Sequence, residues 1–169
     1  MRAAYRVLIA DDEAPARARL RSLIASADRF ELAGEAESGP STLAALQKLT
    51  PDLVFLDVQM PGMTGIEALR LVDASERPIT VFTTAFEQYA LDAFEASAID
   101  YLLKPYTDER FHEALGRAET LLRGRDVDLW RRQMAALLAL VSDAEGSVAP
   151  RERYLSRATR TLLASIAPS

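Results

Sequence analysis

Residues 53–65, LVFLDVQMPGMTG, decide the fold of this chain. The apolar run that begins after Asp52 is typical of a strand buried on both faces of a parallel sheet. It stops at Asp57, and the following Met-Pro-Gly at 60–62 breaks the chain. In open α/β sheets, ligands bind outside the carboxyl ends of the strands. Asp57 is therefore the first candidate for a functional residue.

Outward from this segment, strand-like and helix-like stretches alternate. Pro15 suits the first turn of a helix, and Thr107 can cap another. Five strands alternating with five helices predict an α/β fold, a doubly wound five-stranded parallel sheet with right-handed crossovers. The predicted strands are 5–10, 30–36, 52–56, 79–83 and 99–103, and the predicted helices are 13–27, 39–49, 64–75, 86–96 and 107–123.

A domain boundary is predicted at Gly124, which gives a first domain over 1–124. Residues 125–145 are expected to form a linker helix whose apolar side chains recur every three or four positions, at Val127, Trp130, Met134, Leu137 and Val141. Two interpretations stay open, because about two heptads can form a dimerisation seam or pack back on the first domain. Residues 146–169 form a polar tail.

Composition excludes several kinds of function. The chain has 169 residues, no cysteine and one histidine, His112, so thiolate sites and histidine metal clusters are excluded. A net charge of -5 argues against direct nucleic-acid contact by this chain. No apolar run approaches the roughly 20 residues of a membrane span, and acidic residues come too early for a signal peptide. We expect a cytoplasmic protein.

The carboxyl ends of four predicted strands carry polar residues that suit one chemistry. Clustered carboxylates repel one another unless a cation relieves them, and Mg²⁺ prefers such oxygen ligands. A lysine and a threonine hydroxyl beside them suit phosphoryl oxygens. Only two of the twenty basic residues are lysines, and one of them is at this edge. The residues concerned are Asp11, Asp12, Asp57, Thr83, Thr84 and Lys104.

A phosphatase of the haloacid-dehalogenase kind also uses a strand-end aspartate with Mg²⁺. Such an enzyme needs a second aspartate two residues later as general acid, and this chain has Gln59 there. The acidic pair Asp11-Asp12 would also have no role. We therefore reject this alternative.

Four segments in the right order resemble the successive signatures of response-regulator receiver domains: VLIADDE, LVFLDVQMPGMTG, ITVFTTAF and AIDYLLKP. The resemblance covers roughly residues 5–123 and implies a flavodoxin-like sheet with strand order 2-1-3-4-5. More narrowly, DDEAPAR, TTAFEQYALDAFEASAIDYLLKP and RYLSR resemble the LytTR-type (LytR/AlgR family) transcriptional regulators of two-component systems.

The resemblance implies a site and a partner. Asp57 would accept a phosphoryl group from a sensor histidine kinase. Mg²⁺ would be bound by Asp11, Asp12, Asp57 and the backbone carbonyl of Gln59, and Lys104 would pair with the phosphoryl group. The chain would be a signalling domain rather than an enzyme, although it would catalyse its own phosphoryl transfer and slow dephosphorylation.

The resemblance also implies a switch. Thr84 would move toward the phosphoryl group and Tyr101 would turn into the vacated space, with Thr83 as the alternative hydroxyl and core packing as the alternative role of Tyr101. The peptide Lys104–Pro105 matches the family's cis bond. The surface of the fourth helix, fifth strand and fifth helix would change shape and control homodimer formation.

The sequence leaves two interpretations of how the signal leaves this domain. LytTR-type regulators carry a DNA-binding domain after the receiver, but only sixteen residues follow Arg153. We expect the tail to be the remnant of the start of a missing output domain, with DNA bound through that domain. The alternative is a stand-alone receiver that acts through protein contacts alone.

Overall fold

The computed structural model describes residues 4–85, 100–124, 130–132, 134–136 and 139. The helix predicted over 86–96 and the tail over 146–169 lie outside these residues. The strands are β1 (Tyr5–Ala10), β2 (Phe30–Ala36), β3 (Leu53–Asp57), β4 (Ile79–Thr84) and β5 (Asp100–Leu103). The α-helices with complete bounds are α1 (Ala14–Ala25), α2 (Gly39–Leu49), α3 (Gly65–Arg70) and α4 (Asp108–Gly124), and Ala74–Glu76 is a short 3-10 helix.

The five strands form one parallel sheet in the order β2-β1-β3-β4-β5, which confirms the predicted fold. Strand β3 lies at the centre, and all its residues are buried, as its apolar run predicts. Helix α2 packs against α3, whereas the ion pair between Arg19 and Asp108 joins α1 to α4, so helices cover both faces of the sheet. The strand order reverses between β1 and β3, and that switch point opens a crevice at the carboxyl edge.

Local side-chain chemistry fixes the helix starts that border this edge. The Thr64 hydroxyl caps α3 by accepting a hydrogen bond from the Glu67 N–H, and Ser38 and Ser41 form a capping box at α2. Thr107 accepts from the Arg110 N–H at the start of α4, as the sequence predicts. These caps hold the helix ends next to the strand ends.

Helix α3 is shorter than the predicted 64–75. It ends at Arg70 because the buried guanidinium of Arg77 donates to the carbonyls of Leu69, Arg70 and Val72 and so satisfies the end of the helix. The 3-10 helix follows, with the Asp73 carboxylate as its cap. The apolar pattern of 64–75 could not predict this earlier end of α3, because Arg77 lies after the predicted helix and is not apolar.

The described residues after Gly124 that are helical include Trp130 and Met134, and both are fully buried in the core of the same chain. Arg131 Nε donates to the Arg77 carbonyl at 3.0 Å, which holds this helix near the start of β4. The interpretation in which these two side chains pack back on the first domain therefore describes the structure. No helix among the described residues is long and apolar enough to cross a membrane.

Candidate functional site

Three strand ends meet at one ammonium group. Lys104, directly after β5, places its Nζ 2.7 Å from Asp11 Oδ2, directly after β1. The same Nζ lies 3.2 Å from Asp57 Oδ2, at the end of β3, and 3.4 Å from Glu13 Oε1. The structure thus brings together the lysine and carboxylates that the sequence places at separate strand ends.

The Asp57 carboxylate is costly to ionise where it lies. Asp57 is 5% exposed. Burial raises the pKa of its carboxyl from the ordinary 3.8 to about 6, and the nearby charge of Asp11 adds to the rise. Lys104 and the N–H of Gln59 oppose the rise. Asp57 therefore carries its charge at neutral pH, as an acceptor of a phosphoryl group must.

Lys104 stays charged although it is partly buried. Burial lowers its pKa, but the hydrogen bond to Asp11 and the attraction of Asp57 outweigh burial, and the pKa ends above its usual value. A permanently protonated ammonium between two buried carboxylates is a fixed positive charge at the centre of the site.

The oxygen donors suit a hard divalent cation. One carboxylate oxygen from each of Asp11, Asp12, Glu13 and Asp57 lies within 4.8 Å of the other three. The two outer residues, Asp12 and Glu13, are exposed, so a cation can reach them from solvent. Carboxylates with open positions for water and phosphate oxygens are the usual ligands of Mg²⁺, and the residues present fit it.

Backbone amides orient the two buried carboxylates. Asp57 Oδ1 accepts from the Gln59 N–H at 3.1 Å, and Asp11 Oδ1 accepts from the Glu13 N–H at 2.9 Å. In both carboxylates Oδ2 faces Lys104. The two carboxylates are therefore fixed before any ligand arrives, which reduces the reorganisation that a reaction requires.

Glu13 was not among the residues that the sequence analysis assigned to the site. It directly follows Asp11-Asp12, so the acidic run of three was the signal that could have identified it. Its carboxylate reaches Lys104 from the exposed side, and it belongs to the same oxygen cluster.

Gly65 brings α3 against the backbone of Asp57. A Cβ at this position would lie 2.2 Å from the Asp57 carbonyl oxygen and 2.9 Å from Leu56 Cγ. The Gly65 N–H donates to the Val58 carbonyl at 2.9 Å. Gly65, the last residue of the segment 53–65, is therefore needed for this close approach of α3 to β3.

Both threonines at the end of β4 are buried. Thr83 is in register with Asp57, and within the described part of the chain its hydroxyl has no hydrogen-bond partner. The Thr84 carbonyl accepts from the Lys104 N–H at 2.7 Å. Which hydroxyl acts on a phosphoryl group stays a prediction in favour of Thr84.

Tyr101 lies half-buried on β5, and the Arg110 guanidinium is 5.3 Å from the centre of its ring. The Lys104–Pro105 peptide is cis, as the resemblance implies. Arg110 was not predicted as part of the site, since nothing in the sequence pairs α4 with Tyr101. The rotamer switch of Tyr101 stays a prediction.

A surface depression of about 350 Å³ borders the carboxylate cluster at Asp12. Its other lining residues come from the loop after β3 and include Gln59 and Met60. Gln59 lines this depression, and its N–H donates to Asp57 Oδ1. The depression gives an incoming group access to this edge of the sheet.

Comparisons with known proteins agree with this geometry. The sequence model described as the response regulator receiver domain matches residues 7–116. The transcriptional regulatory protein BtsR of Salmonella typhi is 42% identical over 132 residues, which are 78% of this chain and 55% of that protein. An uncharacterized response regulatory protein of Vibrio cholerae is 46% identical over 110 residues, 65% of this chain and 46% of its own length.

Solved structures show the same fold. The response regulatory domain of mrkE from Klebsiella pneumoniae superimposes with a TM-score of 0.62 at 32% identity, covering 70% of this chain and 98% of that domain. The chain spans about half the length of the curated relatives that it matches.

Proposed function

The chain belongs to the response regulator receiver domains of two-component signalling, and we propose that it works as a switch by accepting a phosphoryl group on Asp57. Receivers of this family are signalling domains that histidine kinases phosphorylate. The donor for this chain would be the phosphohistidine of a sensor kinase. The observation that supports Asp57 most strongly is its buried carboxylate, held by one lysine and one backbone N–H.

The proposed step is a direct displacement at phosphorus. An Asp57 oxygen forms a bond to phosphorus while the phosphorus–nitrogen bond of the kinase phosphohistidine breaks, and the leaving imidazole takes up a proton. Fixed geometry removes the entropic cost of orienting the nucleophile, and Lys104 neutralises charge on the phosphoryl oxygens. Slow attack of water on the acyl phosphate would return Asp57 to its carboxylate.

We propose Mg²⁺ as the cation of this site, held by Asp11, Asp12, Asp57 and the Gln59 backbone carbonyl, with the exposed Glu13 near enough to contribute. When bound, the ion would neutralise the charge of the carboxylates and of the phosphoryl oxygens. Without a divalent cation, the ammonium group of Lys104 contacts three of the four clustered carboxylates. The donor set therefore favours a cation requirement.

The switch would convert the new charge into a change of surface. The acyl phosphate adds roughly one and a half to two negative charges at neutral pH. Thr84 would move toward it and Tyr101 would turn, which reshapes the surface formed by residues 86–96, β5 and α4. A homodimer formed through this surface on phosphorylation would carry the signal onward.

For the output we propose transcription regulation through a LytTR-type DNA-binding domain. Residues 1–124 would be the receiver, 125–145 the linker helix and 146–169 the start of the output domain. Support comes from the RYLSR segment and from relatives named as transcriptional regulators. The alternative remains a stand-alone phospho-switch that acts through protein contacts. In both cases we place the protein in the cytoplasm, where kinase phosphohistidines are made.

Incubation with acetyl phosphate or phosphoramidate tests the proposed chemistry. Intact mass should rise by one phosphoryl group in the presence of Mg²⁺, and size-exclusion chromatography of the same sample should show a dimer. Asp57→Asn is the control, and neither this variant nor a sample with excess chelator should gain the adduct. An adduct that persists in Asp57→Asn would place the acceptor elsewhere.

A further inference from the structure

Arg110 contacts the predicted switch tyrosine at two points. Its Nη2 donates to the Tyr101 carbonyl at 2.7 Å, and its Cζ lies 5.3 Å from the Tyr101 ring centre. A guanidinium at this distance from the face of an aromatic ring is attracted by the ring's negative face. The side chain thus restrains both the backbone and the ring of this residue.

Asp100 fixes the arginine in turn. Its side chain is 4% exposed, and both carboxylate oxygens receive the Arg110 guanidinium, with Nη1 3.4 Å from Oδ2. The same carboxylate accepts from the Tyr101 N–H at 2.8 Å. A planar guanidinium gripped by a buried carboxylate has little freedom, so it keeps a constant position beside the ring.

We propose that Arg110 is a positioning residue for Tyr101, a latch that holds the ring in place and opposes its turn. The proposal rests on the proposed function, since it concerns the switch that phosphorylation of Asp57 drives. When the ring turns, it must leave the guanidinium, whereas the bonds of Arg110 to Asp100 can persist. Arg110 thereby sets how much occupancy of the phosphoryl site at Asp57 is needed before Tyr101 turns.

Arg117 supplies a matched control. Its Nη1 lies 3.3 Å from Asp100 Oδ2, so it holds the same carboxylate from a position two turns further along α4. Replacing either arginine removes one positive charge and one partner of Asp100. Only Arg110 is placed against the Tyr101 ring and carbonyl in the contacts described above.

The test measures activation by beryllofluoride with Mg²⁺, a mimic of the phosphoryl group on a carboxylate, in protein that contains 3-fluorotyrosine. The ¹⁹F resonance of Tyr101, assigned with Tyr101→Phe, reports the ring directly. Arg110→Ala should lower the beryllofluoride concentration for half conversion by roughly two- to fivefold, the equivalent of one cation–π contact. Arg117→Ala should leave this midpoint unchanged.

A double-variant cycle separates the latch from a structural role. Midpoints in the Tyr101→Ala background are read from the ¹⁹F resonance of Tyr106, next to the site, and Arg110→Ala should not move them. An equal shift in both arginine variants, or a shift that survives without the ring, would assign the effect to Asp100 and overturn the proposal. If the wild-type protein shows no Mg²⁺-dependent response to beryllofluoride, the proposed function fails and the latch fails with it.

Discussion

The ammonium group of Lys104 lies within 3.4 Å of three carboxylates, two of them buried. Such a position needs a compact cation, because a planar guanidinium cannot direct its donors from one point to carboxylates at two strand ends and at the start of α1. This explains at the residue level why a chain rich in arginine has one of its two lysines at this place. The charge balance of the site also predicts how individual substitutions act.

Asp57→Asn should stabilise the fold when no divalent cation is present. Burial raises the pKa of Asp57 to about 6, so the folded chain bears a cost for the ionised carboxylate at neutral pH. Removal of that cost should raise the free energy of unfolding by on the order of 1 kcal/mol, after an allowance for the lost ion pair with Lys104. Urea unfolding at pH 7.5 in chelator measures it.

The stability gain of Asp57→Asn should depend on pH in a direction that the raised pKa of Asp57 determines. Because the pKa of Asp57 is higher in the folded chain, the destabilising cost is complete above pH 6 and vanishes as pH falls through 6 towards 4. The advantage of Asp57→Asn should therefore shrink over that range. Asp28→Asn, at an exposed turn far from the site, is the control for the loss of a surface carboxylate. A variant less stable than the parent at pH 7.5 would mean that the lysine pairing outweighs burial.

Lys104→Met should slow phosphorylation of Asp57 by about a hundredfold or more, the usual loss when one fixed donor to a developing charge is removed. Lys104→Arg should not restore the rate, since the guanidinium cannot occupy the same point. Initial rates of adduct formation with phosphoramidate and Mg²⁺ measure the effect of both substitutions.

The only other lysine, Lys48, is exposed on α2, and Lys48→Met should react at the parental rate. Equal rates for the Lys104 and Lys48 variants would remove Lys104 from the chemistry.

At the scale of elements, the junction of β3 and α3 holds Asp57 in place. Gly65→Ala would put a Cβ 2.2 Å from the Asp57 carbonyl oxygen, so backbone must move. We expect a loss of about 1 to 3 kcal/mol in unfolding free energy, together with slower phosphorylation.

Gly116→Ala is the matched control for this substitution. A Cβ at Gly116 in α4 meets nothing within 4 Å, so the change should stabilise the helix by up to about 1 kcal/mol. Thermal unfolding of both variants measures the difference. Equal effects at the two glycines would show that the close approach of α3 to β3 does not constrain the fold.

The elements were predictable from sequence where a repeating pattern specified them. The buried run of β3 and the strand ends at Asp11, Asp57 and Lys104 sufficed to predict the sheet and the meeting of their side chains. Single side-chain contacts between neighbouring elements left no such pattern. The Arg77 guanidinium ends α3 through carbonyls five to eight residues before it, and the Arg110 guanidinium lies beside Tyr101, but neither contact belongs to an apolar repeat, so periodicity could not predict them.

At the scale of the whole molecule, the helix after Gly124 is part of the core. Trp130 is the only tryptophan and is 1% exposed, so its fluorescence reports this packing without a label. We expect short-wavelength emission that acrylamide quenches weakly.

Trp130→Ala should cost about 3 to 5 kcal/mol in unfolding free energy, because it leaves a large cavity. Leu71→Ala, at a 60% exposed side chain, should cost less than about 0.5 kcal/mol.

The same signal distinguishes two routes to a dimer. A seam through Trp130 and Met134 would first have to uncover side chains that the receiver now buries. Dimerisation by that route would change the Trp130 emission, whereas dimerisation through the surface that includes β5 and α4 would leave it unchanged. A red shift on phosphorylation would contradict the proposed dimer surface.

The central claim is that Asp57 carries the phosphoryl group. Borohydride reduction of the phosphorylated protein converts an acyl phosphate into an alcohol, so an aspartyl phosphate becomes homoserine, and peptide sequencing by mass spectrometry then locates it. We predict homoserine at position 57 alone, and only in samples that contained Mg²⁺ and a phosphoryl donor. Homoserine at Asp11 or Asp12, or a phosphoryl adduct that resists reduction, would contradict the account.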